Sequence, residues 1–494
     1  MIKVLLQGHD YQYEVLELLK IFMKPTDIDF IDCEALVDYQ SFLLVNELYE
    51  KERQIQIHST IRKNNEILRQ DIRSIEKKDL DAINLNREIK KSIKLSIYEV
   101  ISYTYGKFSE WGILTGIRPT KIVHELMDHN HTTIEIDHIL KDRYKINEEK
   151  RKLLLDVAVV ERPFIVNNKS DQVSLYISIP FCPTRCVYCS FPSNPLNQGH
   201  KPIARYMEAL LYEIVEVTAL LKDFGKKIET LYIGGGTPTS LNAVNINKIM
   251  STISKNIDLT TLKEFTVEAG RPDTIDREKL EILKSYGVNR ISINPQTMNT
   301  QTLQQIGRDH SPKEITEAFW LAKEIGFKTI NMDVIVGLPG EGCTEVADTM
   351  KALEELSPEN ITVHTLAIKR ASNLREKLND YQLAMEKQAK DMLKITKEYT
   401  YKMGMIPYYL YRQKFMVGNL ENTGYCKPGH ECIYNIQIME ERQSILAMGA
   451  GAISKIVYPE ENRLERVPNL TNVDQYIQRV KEMVERKRKE LMNS

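Results

Sequence analysis

The sequence predicts an α/β fold: a partial (β/α)6 barrel, preceded by an α+β domain and followed by a mixed C-terminal extension. Between residues 174 and 366, six short apolar runs alternate with helical patterns. Such alternation predicts parallel strands that are joined by right-handed helical crossovers. A polar, turn-like segment at 167–171 precedes the alternation, which stops near residue 380. We therefore predict three domains, at residues 1–168, 169–380 and 381–494.

The first 168 residues carry helix and strand patterns of their own. An apolar run at 2–6 and an apolar–polar alternation at 54–58 predict strands. Helical spacing of apolar residues predicts helices at 13–22, 80–105 and 148–160. The last of these helices is expected to end before Pro163, because proline lacks the amide hydrogen that a helix interior needs.

The predicted barrel strands are regularly spaced. They lie at residues 174–179, 230–233, 265–268, 290–294, 329–336 and 361–366, and helical patterns between them include 203–224, 277–286 and 313–325. In (β/α) barrels the chemistry lies at the carboxyl ends of the strands. We therefore expect functional residues where each apolar run ends. Residues 381–494 are less regular and finish in a helical pattern.

Composition limits the classes of function. The 494 residues carry a formal net charge of -1, so no basic field is present and no nucleic-acid partner is expected. No apolar run approaches the roughly 18 residues of a spanning helix, so stable membrane insertion is not expected. Seven cysteines in a chain of this length do not form a dense disulfide framework, which favours a reducing cytoplasm.

Three closely spaced cysteines follow the first barrel strand. Cys182, Cys186 and Cys189 form a C-x3-C-x2-C pattern. Iron–sulfur clusters are held by cysteine thiolates, usually four. Three thiolates would hold three corners of a cubic 4Fe-4S cluster and leave one iron open to a small molecule. A structural zinc would want four ligands, and no second C-x2-C pair or histidine follows nearby, so the spacing favours the cluster.

A second group of metal-ligand residues occurs further along the chain. Cys426, His430 and Cys432 are close in sequence, and this proximity is the only indication of a second metal site. The alternative is a pair of reduced thiols in a reducing cell. Both interpretations stay open at this level.

A triple glycine followed by threonine, residues 234–237, ends the second barrel strand. Glycine lacks Cβ, so the backbone here can approach a ligand closely. Alone, the run also fits a tight turn, and it lacks the G-x-G-x-x-G spacing of a dinucleotide site. Polar residues at the ends of later strands, which could orient ligand hydroxyl groups, are Glu268, Gln296 and Asp333.

In combination these motifs resemble the radical S-adenosylmethionine (SAM) enzymes, and among them the oxygen-independent coproporphyrinogen III oxidase (dehydrogenase) family. The resemblance covers roughly residues 174–455. Besides the cysteines and glycines it includes Tyr176, six residues before the first cysteine, an Ile-Pro-Phe sequence at 179–181 and a motif at 449–454. The chain is more similar to the longer branch from Gram-positive bacteria, which has an extra N-terminal domain with a segment like 111–121.

The resemblance implies a radical SAM barrel in which the three cysteines hold a 4Fe-4S cluster. SAM would bind at the open iron, as one molecule or two. The implied SAM contacts are Tyr176, Tyr188, Gly235, Gly236, Thr237, Glu268, Gln296, Arg308, Asp333, Ala367 and Ile453. No catalytic residue is assigned beyond these.

The implied activity is that of a radical SAM oxidoreductase in haem (porphyrin) biosynthesis. A SAM-derived 5′-deoxyadenosyl radical would start the oxidative decarboxylation of coproporphyrinogen III to protoporphyrinogen IX. A low-potential electron donor such as flavodoxin or ferredoxin is the implied partner. The substrate carries four carboxylates, for which cationic side chains are expected. The candidates are Arg308, Lys369, Arg370, Arg412 and Lys414.

One position departs from the family pattern. The best-characterised oxidases have a fourth cysteine two residues after the third, and this chain has Phe191 there. The related haem-chaperone branch also lacks that cysteine. A haem-binding chaperone on the same fold, or another radical SAM reaction on a tetrapyrrole, therefore remains an alternative function.

Overall fold

The structure is a computed structural model, which describes residues 1–34, 41–78, 81–191, 194–196, 202–368, 372, 374, 385–413, 416, 419–461 and 463–493. The chain divides into two compact units, Met1–Leu155 and Asp156–Ser494. The division into 1–168, 169–380 and 381–494 stays a prediction. No helix in the described parts of the chain combines the length and apolar character needed to cross a membrane.

The first unit is built on a five-stranded sheet. Its strands are β1 (Ile2–Gln7), β2 (Ile28–Ile31), β3 (Phe42–Glu50), β4 (Gln54–Lys63) and β5 (Glu66–Glu76), in the order β2-β1-β3-β4-β5. The strand β1 pairs in parallel with both of its neighbours, and the other pairs are antiparallel. The helices are α1 (Gln12–Leu19), α2 (Ala82–Tyr105), α3 (Thr120–Asp128), α4 (Thr133–Tyr144) and α5 (Glu148–Ile165), whose last residues lie beyond the unit boundary.

The predicted helices and strands of this region are present, but some of their ends differ: α1 ends at Leu19 instead of residue 22, and β4 continues to Lys63 instead of ending at residue 58. The helix α5 does not stop before Pro163 but continues to Ile165. Proline so near the end of a helix removes a single hydrogen bond, and the last turn tolerates this loss. The helix α2 begins where the Asp81 side chain accepts a hydrogen bond from the Asn84 amide, and it ends at Gly106, which has a φ of 62°.

The second unit contains the predicted strand–helix alternation. Its strands are β6 (Gln172–Ile179), β7 (Phe181–Cys182), β8 (Asn194–Pro195), β9 (Lys227–Gly235), β10 (Glu264–Gly270), β11 (Arg290–Ile293), β12 (Thr329–Val336), β13 (Asn360–Thr365), β14 (Ile406–Tyr411), β15 (Asn422–Cys426), β16 (Ser444–Met448), β17 (Ile453–Tyr458) and β18 (Arg463–Pro468). Its helices are α6 (Ile203–Asp223), α7 (Ala243–Asn256), α8 (Arg277–Ser285), α9 (Thr300–Gln305), α10 (Pro312–Ile325), α11 (Cys343–Leu356), α12 (Glu386–Lys402), α13 (Ile433–Glu440) and α14 (Val473–Leu491).

Eleven of these strands form one sheet, in the order β14-β15-β13-β12-β11-β10-β9-β6-β16-β17-β18. The six strands from β6 to β13 in this order are the predicted barrel strands, and each pairs in parallel with the next. The predicted parallel barrel is therefore confirmed. The strand β16 adds a further parallel strand beside β6, and antiparallel pairs extend both edges. Among the described strands β14 and β18 are the edges, so the barrel is partial.

The two faces of β6 separate the core from the barrel interior. The side chains on its outer face, which are buried in the main apolar core, are Leu175, Ile177 and Ile179. Side chains alternate between the faces of a strand, so Tyr176 lies on the inner face. There its ring stacks on Tyr232 and Tyr434, with ring centroids 6.1 and 6.0 Å away.

A buried arginine links several segments at the amino end of the barrel by hydrogen bonds. Arg290, the first residue of β11, donates hydrogen bonds to the carbonyl oxygens of His430 and Glu431 and to the Oδ1 atom of Asn360. These contacts join residues 430–431 to the starts of β11 and β13. The opposite, carboxyl end is where the open cavity lies.

Candidate active site

A cavity opens at the carboxyl ends of the parallel strands and encloses about 1180 Å³, counting its open mouth. All but two of the predicted site residues line it. These lining residues are Cys182, Cys186, Tyr188, Cys189, Gly235, Gly236, Thr237, Glu268, Gln296, Arg308, Asp333 and Ala367. They come from the ends of all six parallel barrel strands and the loops that follow, so the fold brings together positions that are up to 185 residues apart in sequence.

The loop that carries the three cysteines is held by hydrogen bonds on both sides. The Thr237 hydroxyl donates to the Cys182 sulfur at 3.5 Å, and the Cys189 amide donates to the Cys186 carbonyl at 3.1 Å. Between the first two cysteines, Thr184 receives a hydrogen bond of 2.6 Å from the Arg271 guanidinium. This support fixes the loop, and with it the sulfur atoms, beside the cavity.

The three cysteine sulfurs are too far apart to hold a single metal ion together in the arrangement that the structure shows. Within the part of the chain that the structure describes, the three sulfurs do not all lie within 4.8 Å of one another. Sulfurs bound to one Zn²⁺ at about 2.3 Å would be at most about 4.6 Å apart. Burial raises the pKa of the Cys182 thiol to about 11 and also raises that of Cys189. Iron must therefore displace protons when it binds.

The triple glycine permits close packing inside the protein, and part of it also lines the cavity. A Cβ on Gly236 would lie 2.5 Å from the Phe181 carbonyl oxygen and 2.9 Å from the Cys182 sulfur. Gly235 has a φ of 110°, a conformation that side chains rarely adopt. At Gly236 the first obstacle to a side chain is thus the cysteine loop. That glycine is also needed for approach to a ligand stays a prediction.

Two carboxyl groups on the cavity wall have pKa values that are shifted in opposite directions. Burial raises the pKa of Glu268 to about 7, although the Tyr232 hydroxyl donates a hydrogen bond of 2.7 Å to it. Burial also tends to raise the pKa of Asp333. Interactions with the His364 imidazole and the Asn331 amide have a larger effect and hold the pKa of Asp333 below its ordinary value. The Asn331 amide lies 2.7 Å from the Asp333 carboxylate, and the His364 ring nitrogen lies 3.6 Å from it.

We predict that Glu268→Gln changes how the stability of the iron-free protein depends on pH. Glu268 ionises near its ordinary pKa when unfolded and near 7 when folded, so between these values the folded state binds more protons. Its contribution to the free energy of unfolding therefore falls as pH rises through this window, by up to about 3 kcal/mol. Relative to the wild type, the variant should be more stable in urea at about pH 8 than at about pH 5. An equal difference at both pH values would contradict this charge assignment.

Some residues that line the cavity have a buried polar atom without a hydrogen-bond partner in the described residues. They include Gln296, through its Oε1 atom, and Arg308, through its Nε atom. Gln296 also has a φ of 68°, a strained conformation for a residue other than glycine. Buried polar groups normally have partners, and backbone strain clusters at functional sites. Both observations fit a polar ligand that binds at this wall.

Two predicted residues do not reach the cavity. Tyr176 points into the tyrosine stack of the barrel interior. Ile453 begins β17 and is 48% exposed. A SAM contact at these two positions stays a prediction that the lining of this cavity does not support.

The remaining candidates also lie elsewhere. Arg412 is buried and donates to the Asn419 carbonyl, so it supports a loop. Cys426, His430 and Cys432 are all described, and their ligand atoms do not group within 4.8 Å. Instead the Cys432 thiol donates to Glu264 and His430 contacts the Thr329 hydroxyl. The structure therefore favours reduced thiols over a second metal site here. Residues outside the described ones are Lys369, Arg370 and Lys414.

The sequence did not indicate several of the residues that line the cavity. They are Thr184, Arg185, Ser190, Gly270, Arg271, Asn294, Ile335, Thr365, Leu366, His364, Tyr411, Gln413 and Asn422. Asn294 and His364 lie at strand ends that were predicted, so a search of every polar strand-end residue would have found them. Tyr411 and Asn422 belong to β14 and β15, which were not predicted. His364 and Tyr411 also contact each other, with 3.1 Å between ring nitrogen and hydroxyl.

Comparison with known proteins agrees with this site. The model of the family described as the Radical SAM superfamily matches residues 176–353. The oxygen-independent coproporphyrinogen-III oxidase-like protein HemZ of Bacillus subtilis (strain 168) is 39% identical over 409 residues, which cover 82% of this chain and 81% of HemZ. The Heme chaperone HemW of the same bacterium is 33% identical over 283 residues, which cover 56% of this chain and 70% of HemW.

A solved structure is also similar. Coproporphyrinogen III oxidase (HemN) from Escherichia coli, described as a radical SAM enzyme, has a TM-score of 0.50 and 26% identity, over 66% of this chain and 73% of that chain. The partial barrel and its three-cysteine cavity are thus those of the radical SAM class. Within it, the chain belongs to the family of oxygen-independent coproporphyrinogen III oxidases and their relatives. The cofactors of this class are a 4Fe-4S cluster and SAM, and the predicted cofactors are confirmed.

Proposed function

We propose that the protein catalyses the oxygen-independent oxidative decarboxylation of coproporphyrinogen III to protoporphyrinogen IX, in haem biosynthesis in a reducing cytoplasm. The observation that carries the proposal is the cavity, which joins the cysteine loop to a polar wall in about 1180 Å³ of open space. The similarity to the oxidase-like relative supports the same reaction.

The chain's own residues would position the cofactors. Cys182, Cys186 and Cys189 would hold the cluster, which together with SAM supplies a 5′-deoxyadenosyl radical that removes a hydrogen atom. Asp333, held ionised by His364, suits hydrogen bonds from ribose hydroxyl groups. The unpaired Gln296 oxygen offers one more acceptor. A second SAM molecule, which the family resemblance implies as an option, is a further part of the proposal.

The reaction balances for each propionate side chain. The β carbon loses one hydrogen atom, the carboxylate leaves as carbon dioxide, one electron passes to an acceptor, and a vinyl group remains. A low-potential protein such as flavodoxin or ferredoxin would reduce the cluster. Arg185, which lines the cavity, is one cation that could bind a substrate carboxylate.

A second candidate function is haem binding as a chaperone. It is favoured by Phe191, which lies on the cavity wall at 61% exposure, where the best-characterised oxidases have a fourth cysteine. An exposed aromatic ring can stack on a flat macrocycle. The similarity to the haem chaperone supports this alternative. Another radical SAM reaction on a tetrapyrrole is the third candidate.

Anaerobic incubation of the reconstituted protein with SAM, a reductant and coproporphyrinogen III separates these functions. We expect coproporphyrinogen to stimulate the formation of 5′-deoxyadenosine and to be converted into a product without two of its carboxylates. Chromatography of the porphyrins after oxidation measures that product. Tight haem binding with intact coproporphyrinogen would support the chaperone, and 5′-deoxyadenosine without any decarboxylated porphyrin would support the third candidate.

A further inference from the structure

A buried charge pair lies behind the cavity wall. Glu213 of α6 and Lys487 of α14 have fully buried side chains, and the Lys487 nitrogen lies 2.8 Å from a carboxylate oxygen of Glu213. A buried ion pair is tolerated when further hydrogen bonds satisfy both charges. Here the Tyr476 hydroxyl donates to Glu213 at 2.7 Å, and Lys487 also donates to the Asn469 side-chain oxygen at 2.6 Å.

The same carboxylate holds the backbone of a loop. The Gly449 amide donates to Glu213 at 2.7 Å, and the Gly449 carbonyl accepts a hydrogen bond of 2.9 Å from the Asn469 side chain. Gly449 has a φ of 93° and is the first residue after β16. Both polar groups of Gly449 are therefore fixed by the buried network. We call residues 449–452 the glycine–alanine loop.

The glycine–alanine loop in turn contacts the wall of the cavity. The Ser178 hydroxyl donates to the Ala450 carbonyl at 3.0 Å. A Cβ on Gly449 would lie 2.4 Å from the Ser178 carbonyl oxygen, and a Cβ on Gly235 would lie 2.9 Å from the Ser178 hydroxyl oxygen. Contacts thus run without a gap from Lys487 in the last helix to Gly235 on the cavity wall.

We propose that Glu213 and Lys487 are positioning residues for the SAM site: acting through the glycine–alanine loop and Ser178, they set the geometry of the glycine run. The proposal rests on the proposed placement of SAM beside Gly235. Neither member of the pair lines the cavity, so the effect is indirect. Buried ion pairs add little stability compared with apolar side chains, and in some proteins buried polar groups fix a single arrangement instead. Small displacements of a binding site can cost about 100-fold in rate.

The test is Glu213→Gln, which keeps the shape of the side chain and removes its charge. The matched control is Glu359→Gln. Glu359 also contacts a lysine, Lys323, and accepts a backbone hydrogen bond, from Ile330 at 3.0 Å, but it lies at the amino ends of the barrel strands. Both variants are reconstituted anaerobically, their iron content is measured, and SAM is titrated by calorimetry. Decarboxylation is not measured, so an error in the proposed substrate does not affect the result.

We expect Glu213→Gln to keep its iron and to bind SAM about 10- to 100-fold more weakly, while Glu359→Gln binds SAM like the wild type. In the protein without iron or SAM, amide hydrogen exchange at 449–453 should speed up in Glu213→Gln alone. Wild-type SAM affinity and unchanged exchange in a folded Glu213→Gln protein would overturn the proposal.

If Glu213→Gln does not yield folded protein, the proposal is tested with Tyr476→Phe instead. It removes one hydroxyl donor to Glu213 and keeps the ring. SAM binding should then weaken about two- to tenfold, the effect of one hydrogen bond. An unchanged SAM affinity in Tyr476→Phe would overturn the proposal equally.

Discussion

Replacing Cys182, Cys186 and Cys189 together with alanine is expected to leave almost no iron on the protein after anaerobic reconstitution. The wild type should bind about four irons per chain. The visible absorption from thiolate-to-iron charge transfer and the formation of 5′-deoxyadenosine should both disappear. The physical reason is that these three thiols line the cavity and are the residues that would hold the cluster.

The matched control replaces three cysteines elsewhere: Cys343, Cys426 and Cys432. These are reduced and do not line the cavity. The control protein should keep about four irons per chain. The assignment of the cluster would be contradicted if iron stayed on the first triple variant, or if it left the control while the control remained folded.

Gly236→Val is expected to remove the cluster as well as SAM binding. The backbone of Gly236 has an ordinary φ, so the requirement for glycine is steric. A valine Cβ would overlap the Phe181 carbonyl and the Cys182 sulfur, at 2.5 and 2.9 Å, and would push the cysteine loop out of place. Overpacking of this kind costs about 1–3 kcal/mol or more, because one of the overlapping atoms belongs to the backbone.

Iron content and SAM affinity of Gly236→Val are compared with those of Gly116→Val. Gly116 also has an ordinary φ, and a Cβ there would meet nothing within 4 Å. The control should bind iron and SAM like the wild type. A Gly236→Val protein that holds a full cluster and fails only to bind SAM would show that the side chain meets the ligand instead of the cysteine loop.

The barrel could be predicted because its strands are local patterns. The runs that became β6, β9 and β12 are apolar and bounded by turns, and each is followed by a helical pattern. The strands at the sheet edges gave no such signal. The strand β15 (Asn422–Cys426) has the sequence NTGYC, and it is a strand because it pairs with β13 and β14. Pairing over long sequence separations decides such segments, and local propensity does not.

The candidate site likewise has residues that the sequence predicted and contacts that it did not. Cys182, Cys186 and Cys189 are neighbours in sequence, so their spacing alone brought them together. Arg271 supports the cysteine loop from 87 residues away through Thr184, and no local pattern indicates that contact. Tyr176 follows the family spacing, but strand alternation and stacking on Tyr434 place its ring in the barrel interior. The family resemblance identified the motif that contains Tyr176, but the direction of the Tyr176 side chain depends on packing inside the barrel.

The most direct test of the proposed function is the transfer of deuterium from substrate to cofactor. Coproporphyrinogen III is labelled with deuterium at the β carbons of its propionates and incubated anaerobically with the reconstituted protein, SAM and a reductant. The account predicts that the recovered 5′-deoxyadenosine carries one deuterium per molecule by mass spectrometry and forms in step with the decarboxylated porphyrin. Unlabelled 5′-deoxyadenosine, with the four carboxylates of the porphyrin intact, would contradict it.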